Sequence, residues 1–492
     1  MNIVPSEYQE KIFDFVENDY RNLVVNAVPG SGKTTTVIMA LKRAHGKILV
    51  AAYNKAIETE LSEKAPKYAK VKTLNALGHG LLLRKYGQIR INKNKFYNSI
   101  KKFEDNSEEK IPFKMIKPLK AFFEKARAYG FGINIKVNDE NLNHYFDFFQ
   151  VDLDAEEDDD LDALKKYFLE CFKDILTIHT HDETEFDFGD QVYIPVYRNI
   201  SAWTYDNIFL DEAQDISPLQ LMLMEKFCSE HTRLFFVGDR HQSIYAFRGA
   251  DHNSMDTIKK KFECVELPLS ISYRCPTKVL GLLEPFTPDI KGKENNEEGK
   301  IDRLYYHTSD IKFPQDSLIL CRTNAPLVKV GTDLLAKGQD VSLNNPELKG
   351  KLFSFIKGCN TSNLSRILEL AKDEHARWAS VSKVRKDVWF QVLEAQEIYQ
   401  SLNSFYDISE DLPTLKNNIE KMFTYRTGCI QLLTVHKAKG LESDNVYIIN
   451  EDLFDKFGNT SDERIQENNC KYVALSRARK NLTFLEVELK DL

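Results

Sequence analysis

The chain has 492 residues, 42% of them hydrophobic and 29% charged, with a formal net charge of −7. That composition suits a globular protein of about three domains and excludes a disordered chain; no apolar run reaches the roughly 18 residues that crossing a bilayer requires. The acidic balance argues against coating nucleic acid by bulk charge, but a local basic groove stays open, because only groups near the phosphates neutralise them. The eight cysteines form no C-x-x-C pair and read as reduced core residues. The N-terminus, MNIVPSEYQEK, has no secretory pattern, so a cytoplasmic protein (nuclear if eukaryotic) is expected, not a secreted one.

The first apolar run, NLVVNA (22–27), suits a buried parallel strand. AVPGSGKTT (27–35) follows, and then the helix-like TTTVIMALKRAH (34–45). Strand, glycine-rich loop and helix is the setting of a phosphate-binding loop. Gly30 and Gly32 let backbone N–H groups approach phosphates. Lys33 brings a point charge to the outer phosphates, and the Thr34 hydroxyl can ligate Mg²⁺. Ala27, Pro29, Ser31 and Thr35 complete the loop, with Ala27 standing where the strict pattern has glycine.

Farther on, SIKKF (99–103) and FKMIKPLKAFFEKARAYG (113–130) mix Lys and Arg with Phe and Tyr. They read as amphipathic helix with a solvated basic face, or more sharply as a surface that guides a nucleic-acid strand. The acidic run DAEEDDDLD (154–162) is expected to begin a helix, where carboxylates favour the N-terminal dipole. HTHDE (179–183) has ligand-type residues at no standard zinc spacing, so no metal is expected there.

NIFL (207–210) reads as a second buried strand, ending in DEAQD (211–215). A carboxylate at such a strand end lies beside the phosphate loop of a doubly wound sheet. Asp211 can hold Mg²⁺ through water, and Glu212 can orient and deprotonate the attacking water. A third run, LFFV (234–237), ends in Gly238 and Asp239. Gln242 is placed to sense the γ-phosphate, with Tyr245 and Phe247 just beyond it, either in the core or stacked on a base.

VGDRHQSIYAFRGA (237–250), TVHKAKGLESDNVYI (434–448) and KYVALSRARKNL (471–482) join these motifs. Together they resemble the UvrD/Rep-like, 3′→5′ branch of superfamily 1 DNA helicases. AAYNKAI (51–57), KTLNALGHG (72–80) and DEAQD look most like the F-box DNA helicase group. The resemblance implies an α/β, P-loop NTPase fold with two RecA-like parallel-sheet motor domains, each carrying a mainly helical insertion. The first motor domain would span 1–80 and 200–270 around an insertion at 81–199. The second would span 271–345 and 426–492 around a short insertion at 346–425.

The same resemblance implies ATP and Mg²⁺ as cofactors, with Thr34 and Asp211 at the metal. Gln9 would read the adenine edge and Tyr273 would stack on adenine. Arg274 and Arg477 would reach the γ-phosphate, and Glu442, with Gly440 nearby, would meet the ribose. Tyr53, Asn54, Thr73, Tyr245, Phe247, Arg248, His436 and Lys437 would contact DNA. Phe247 stands where relatives usually have Trp, and Ala52 where many have Phe. Ser443 and Ser476 replace the usual Phe and Thr. The implied activity is ATP-dependent 3′→5′ translocation on single-stranded DNA with strand separation at single/double-strand junctions, in replication, repair or recombination, away from membranes. A second reading is a translocase that strips proteins from DNA and separates strands poorly. A third is a nucleotide-switched binding module, against which Glu212 and both arginines argue.

Overall fold

The computed structural model describes residues 4–153, 160–244, 253–307, 311–383, 389–456 and 460–488. The chain divides into two compact units, Met1–Ser270 and Ile271–Leu492.

In the first unit, β1 (Leu23–Ala27), β2 (Ile48–Ala52), β3 (Ala69–Thr73), β4 (Asn207–Leu210), β5 (Arg233–Gly238) and β6 (Val265–Leu269) form one sheet. Its order is β3-β2-β4-β5-β1-β6, and every pairing is parallel. β2 is an unbroken apolar run and β4 is apolar after Asn207; both are buried throughout, as strands covered on both faces must be. Successive side chains serve opposite faces: Val24 and Leu49 join one core cluster, whereas Leu23, Val25 and Val50 join the other. Helices α1 (Glu7–Asn18), α2 (Lys33–Leu41), α3 (Lys55–Lys64) and α4 (Leu74–Tyr86) accompany the first three strands. α1 starts at a capping box made by Ser6 and Gln9, which the string SEYQ encodes.

Between α4 and β4 lies a helical insertion: α5 (Lys95–Ser107), α6 (Phe113–Tyr129), α7 (Asp139–Phe148), α8 (Leu161–His181) and α9 (Asp190–Tyr197). On α6, Met115, Leu119, Phe122, Phe123 and Ala126 recur at helical spacing and are buried, while Phe113 and Lys117 face solvent. Phe122 meets Phe131, Phe146, Phe149, Phe168 and Phe172 at centroid distances of 4.8–6.5 Å. This aromatic core is continuous with Val24, Leu49 and Ile208 of the sheet. Of the acidic run, 154–159 lies outside the described residues; Asp160 caps α8, its carboxylate accepting from the amides of Asp162 and Ala163. α10 (Pro218–Glu225) and α11 (Ser254–Lys261) complete the unit.

The second unit opens with a small parallel pair, β7 (Ile271–Ser272) and β8 (Lys291–Gly292), separated by α12 (Thr277–Leu283). Its main sheet contains β9 (Lys300–Tyr305), β10 (Leu318–Cys321), β11 (Val341–Leu343), β12 (Ile430–Thr434), β13 (Ser443–Ile449) and β14 (Ala478–Glu486). The order is β11-β12-β10-β13-β14-β9, again wholly parallel. α13 (Ala325–Ala336) links β10 to β11. Between the neighbouring strands β11 and β12 run α14 (Pro346–Gly358), α15 (Leu364–Val381), α16 (Trp389–Tyr406) and α17 (Leu412–Phe423). Leu352, Ile367, Leu402 and Ile419 bind these helices to Ile319 and Leu432 of the sheet. α18 (Val435–Ala438), α19 (Leu453–Lys456) and α20 (Ser461–Leu475) follow. Both units are thus α/β. Among the described residues no helix is long and apolar enough to cross a membrane. All eight cysteines are free thiols, six of them buried. Burial pushes Cys171 and Cys321 up to about 11, and Cys228, Cys264 and Cys470 up to about 12.

Candidate nucleotide site and strand cleft

The phosphate loop grows out of β1. Gly30 (φ +67°) and Gly32 (φ +78°) are both left-handed, a conformation that side chains resist. Gly32 caps α2, so Lys33 and Thr34 open a helix whose unpaired N–H groups and dipole attract an anion. Pro29 and Ser31 lie in the loop; Ser31 is buried and its hydroxyl has no hydrogen-bond partner. Ala27 is the last residue of β1 and Thr35 lies in the first turn of α2. Gln9 sits against the loop: a Cβ added to Gly32 would lie 3.9 Å from its Nε2. Its amide nitrogen donates to Thr36 Oγ1 (2.9 Å), and its amide oxygen accepts from the Ser6 amide (3.0 Å).

Asp211 and Glu212 follow β4, separated from β1 in the sheet by β5 alone. Lys33 Nζ lies 3.9 Å from Glu212 Oε1. Asp211 is only 2% exposed; burial first, and then the Glu212 carboxylate, push its carboxyl up to about 7. A buried acid short of positive charge, beside an empty-handed serine and a helix N-terminus, suits a divalent cation and a phosphate chain.

Glu212 itself is held left-handed (φ 54°), a strained backbone for a non-glycine residue. Its amide donates to Asp211 Oδ1 at 2.9 Å. From its carboxylate a hydrogen-bonded chain runs inward. Gln214 Nε2 donates to Glu212 Oε2 (2.5 Å), the Asp239 amide donates to Gln214 Oε1 (3.1 Å), and Gln242 Nε2 donates to Asp239 Oδ2 (2.7 Å). Gln214 is fully buried, and its carbonyl accepts from the hydroxyls of Ser243 and Ser254. A Cβ on Gly238 would lie 2.5 Å from Gln214 Oε1, so the glycine of VGD admits this contact. Of these four residues, the sequence motifs give roles to Glu212 and Gln242 alone; Gln214, inside DEAQD, and Asp239, at the end of the third run, join them.

In the second unit, Tyr273 is 43% exposed just after β7. Arg274 is ion-paired with Glu442, to which Arg479 also approaches at 3.5 Å. Arg477 is buried, donating to the carbonyls of Val473 (2.9 Å) and Leu441 (3.1 Å) and to Ser476 Oγ (2.7 Å). Gly440 turns with φ +86°. Ser443 donates to the Asp316 carbonyl, a bond the usual Phe would lack. His436 Nε2 is 3.6 Å from Cys470 Sγ, and Lys437 donates to the Asn344 carbonyl at 2.8 Å.

The remaining strand-contact candidates divide. Tyr245, Phe247 and Arg248 lie outside the described residues. Asn54 caps α3, its side-chain oxygen accepting from the Ile57 amide, and Thr73 caps α4, accepting from the Ala76 amide; both side chains therefore have a structural duty. Tyr53 lines a cavity of about 480 Å³ in the first unit, with Asn75 and Ser217 on the sheet side and Lys93, Lys120 and Phe188 from the insertion. Phe188 is 67% exposed. It was missed in the sequence, although DFGD (187–190) is an aromatic framed by turn-forming acids and a glycine.

His179 of HTHDE does come within 4.8 Å of two carboxylates, Asp187 and Asp190. Arg127 occupies the middle of that group. Its Nη1 is 2.8 Å from Asp190 Oδ1 and 3.2 Å from His179 Nε2, and its Nη2 is 2.8 Å from Asp187 Oδ2. A guanidinium stands where a metal ion would sit, and Lys95 adds a second cation 2.7 Å from Asp190.

Phosphate loop, strand-end acids and a second parallel-sheet unit define a nucleotide-hydrolase class of α/β protein. The UvrD/REP helicase N-terminal domain model matches residues 8–263, and the UvrD-like helicase C-terminal domain model matches 347–488; the chain belongs to the UvrD/Rep helicase family. It is 26% identical to F-box DNA helicase protein 1 of Schizosaccharomyces pombe, over 96% of this chain and 56% of that protein. It is 22% identical to the ATP-dependent DNA helicase Rep of Buchnera aphidicola subsp. Schizaphis graminum, over 94% and 90%. A probable DNA helicase II homolog of Mycoplasma pneumoniae is 24% identical over 59% and 56%. The chain therefore spans little more than half the length of two of these relatives.

Proposed function

We propose that this protein is an ATP-dependent DNA helicase that moves 3′→5′ on single-stranded DNA and opens duplex at single/double-strand junctions. The observation that carries the reading is the meeting of three strand ends. β1 delivers the phosphate loop, β4 delivers Asp211 and Glu212, and β5 delivers Asp239 and Gln242, the last two tied to Glu212 through Gln214. Lys33 and the N-terminus of α2 bind the phosphates. Glu212 orients water and takes its proton. Thr34 and Asp211 would hold Mg²⁺, which neutralises charge on the phosphate oxygens. Gln242 stands at the far end of the hydrogen-bonded chain from Glu212, suited to respond to a change at the outer phosphate.

The cavity beside Tyr53 is the proposed strand path. Lys93 and Lys120 suit phosphates, and Tyr53 and Phe188 offer faces for bases. The support for 3′→5′ polarity is kinship with the UvrD/Rep family. The test is ATP-driven strand separation on duplexes with a 3′ or a 5′ single-stranded tail, with Lys33→Ala as the inactive control. Opening of the 3′-tailed duplex alone is the expected result. DNA-stimulated ATP hydrolysis with neither duplex opened would replace strand separation by translocation that strips bound protein.

A further inference from the structure

We propose that Arg127 is a positioning residue for strand binding: acting through Asp187 and Asp190, its guanidinium fixes the turn that presents Phe188 to the cleft. The inference rests on the strand-binding reading above. The turn is cross-braced by its own acids. The Asp187 amide donates to Asp190 Oδ2 (2.9 Å) and the Asp190 amide donates to Asp187 Oδ1 (2.7 Å). Arg127 then bridges both carboxylates at 2.8 Å, one from each terminal nitrogen. Lys95 Nζ donates to Asp190 Oδ2 at 2.7 Å. Arg127 is 5% exposed, and Asp190 and Lys95 are fully buried. Gly189 is part of the fit, since a Cβ there would lie 2.4 Å from Arg127 Nη2.

Phe188 stands out of this locked turn into solvent. Its carbonyl accepts from Asn75 Nδ2 at 3.2 Å, which ties the turn to the start of α4, two residues past Thr73. Holding the insertion together would not by itself require ions, because well-packed apolar residues replace buried ion pairs without loss of stability. What a bidentate guanidinium adds is fixed geometry. An exposed aromatic on an immobile backbone has little ordering entropy left to lose when a base stacks on it.

The test uses the full chain and a fluorescent single-stranded oligonucleotide, read by anisotropy and by stimulation of ATP hydrolysis. Phe188→Ala should weaken binding on the order of tenfold, the scale of one lost stacking contact. Arg127→Met should weaken it by a similar factor, and Arg127→Met combined with Phe188→Ala should be no worse than either alone, because coupled residues are not additive. The half-stimulating DNA concentration should rise more than the maximal rate falls. Arg127→Lys, which keeps the charge but not the fork, should recover only part of the affinity. If Arg127→Met does not fold, Gly189→Ala makes the same test, because its methyl displaces the guanidinium while leaving every charge in place. Additive losses, or unchanged affinity in a folded Arg127→Met or Gly189→Ala protein, would overturn the inference while the strand-binding reading stood. A wild-type protein that neither binds the oligonucleotide nor is stimulated by it would remove both.

Discussion

Gly78 and Gly80 stand two residues apart in α4, yet the same substitution should shift stability in opposite directions at the two sites. A Cβ on Gly78 would lie 1.7 Å from the carbonyl oxygen of Gln191 in α9 and 3.3 Å from Leu223 Cδ2. The obstruction is backbone, so Gly78→Ala must push α4 and α9 apart by more than an ångström. Overpacking costs about 1–3 kcal/mol, and a rigid obstacle places this case near about 3 kcal/mol. At roughly 2–4 °C per kcal/mol for a unit of this size, the melting temperature of the first unit should fall by roughly 6–12 °C. At Gly80 the nearest atom to a new Cβ is Trp203 Cη2 at 3.6 Å, an ordinary contact. Gly80→Ala should therefore gain about 0.5–1 kcal/mol from the removed glycine entropy and melt slightly higher. Because α9 begins at Asp190, beside Phe188, Gly78→Ala should also raise the single-stranded DNA concentration needed for half-maximal ATP hydrolysis. Calorimetric melting of both variants decides the matter. A neutral or stabilising Gly78→Ala would refute the close packing of α4 on α9.

Glu212→Gln should lower ATP turnover by about 10²–10⁴-fold while nucleotide still binds. Gln214→Leu, which cuts the chain from Glu212 to Asp239, should lower turnover at least about tenfold; a wild-type rate would show that the chain carries nothing. Arg477→Ala should cost both ATP turnover and stability of the second unit, because its partners are buried, whereas Arg274→Ala, at a more exposed ion pair, should cost turnover alone; separate melts and steady-state rates distinguish them. Burial raises the Asp187 and Asp190 carboxyls, but Arg127 and His179 outweigh it and hold both below the ordinary range. Acids with depressed folded pKa contribute stability above their unfolded value, about 3.9, and lose it as pH falls toward the folded one. Urea midpoints should thus hold from pH 7 to about 5 and drop below about 4, with a shallower drop in Asp190→Asn.

The nucleotide site was legible because its signals are local. A glycine-rich loop after an apolar run, and acids after two more, each declare their place within ten residues of chain, and the parallel sheet then brings the strand ends together. The strand side was less legible. Asn54 and Thr73 come from the family resemblance as strand contacts, and Asx and Thr side chains before a helix also cap it; the folded chain shows that both do. The clamp around Phe188 draws Lys95, Arg127, His179, Asp187 and Asp190 from four separate segments, so no window of sequence contains it. HTHDE shows the same limit: His179 meets carboxylates from another loop, with a guanidinium between them, and the string itself contains neither.

The eight thiols carry an experimental consequence. Thiolate, not thiol, attacks a maleimide, and burial raises all eight native thiols above their ordinary range. A single cysteine introduced at an exposed position, such as Lys117 on α6, would therefore react ahead of them, and one fluorophore could be attached there without first stripping out the natural residues. Under denaturing conditions the same shielded groups become clocks. Cys171, Cys228 and Cys264 report the opening of the first unit, and Cys275, Cys321, Cys359, Cys429 and Cys470 report the second, so mass-resolved labelling times the two units independently within one chain.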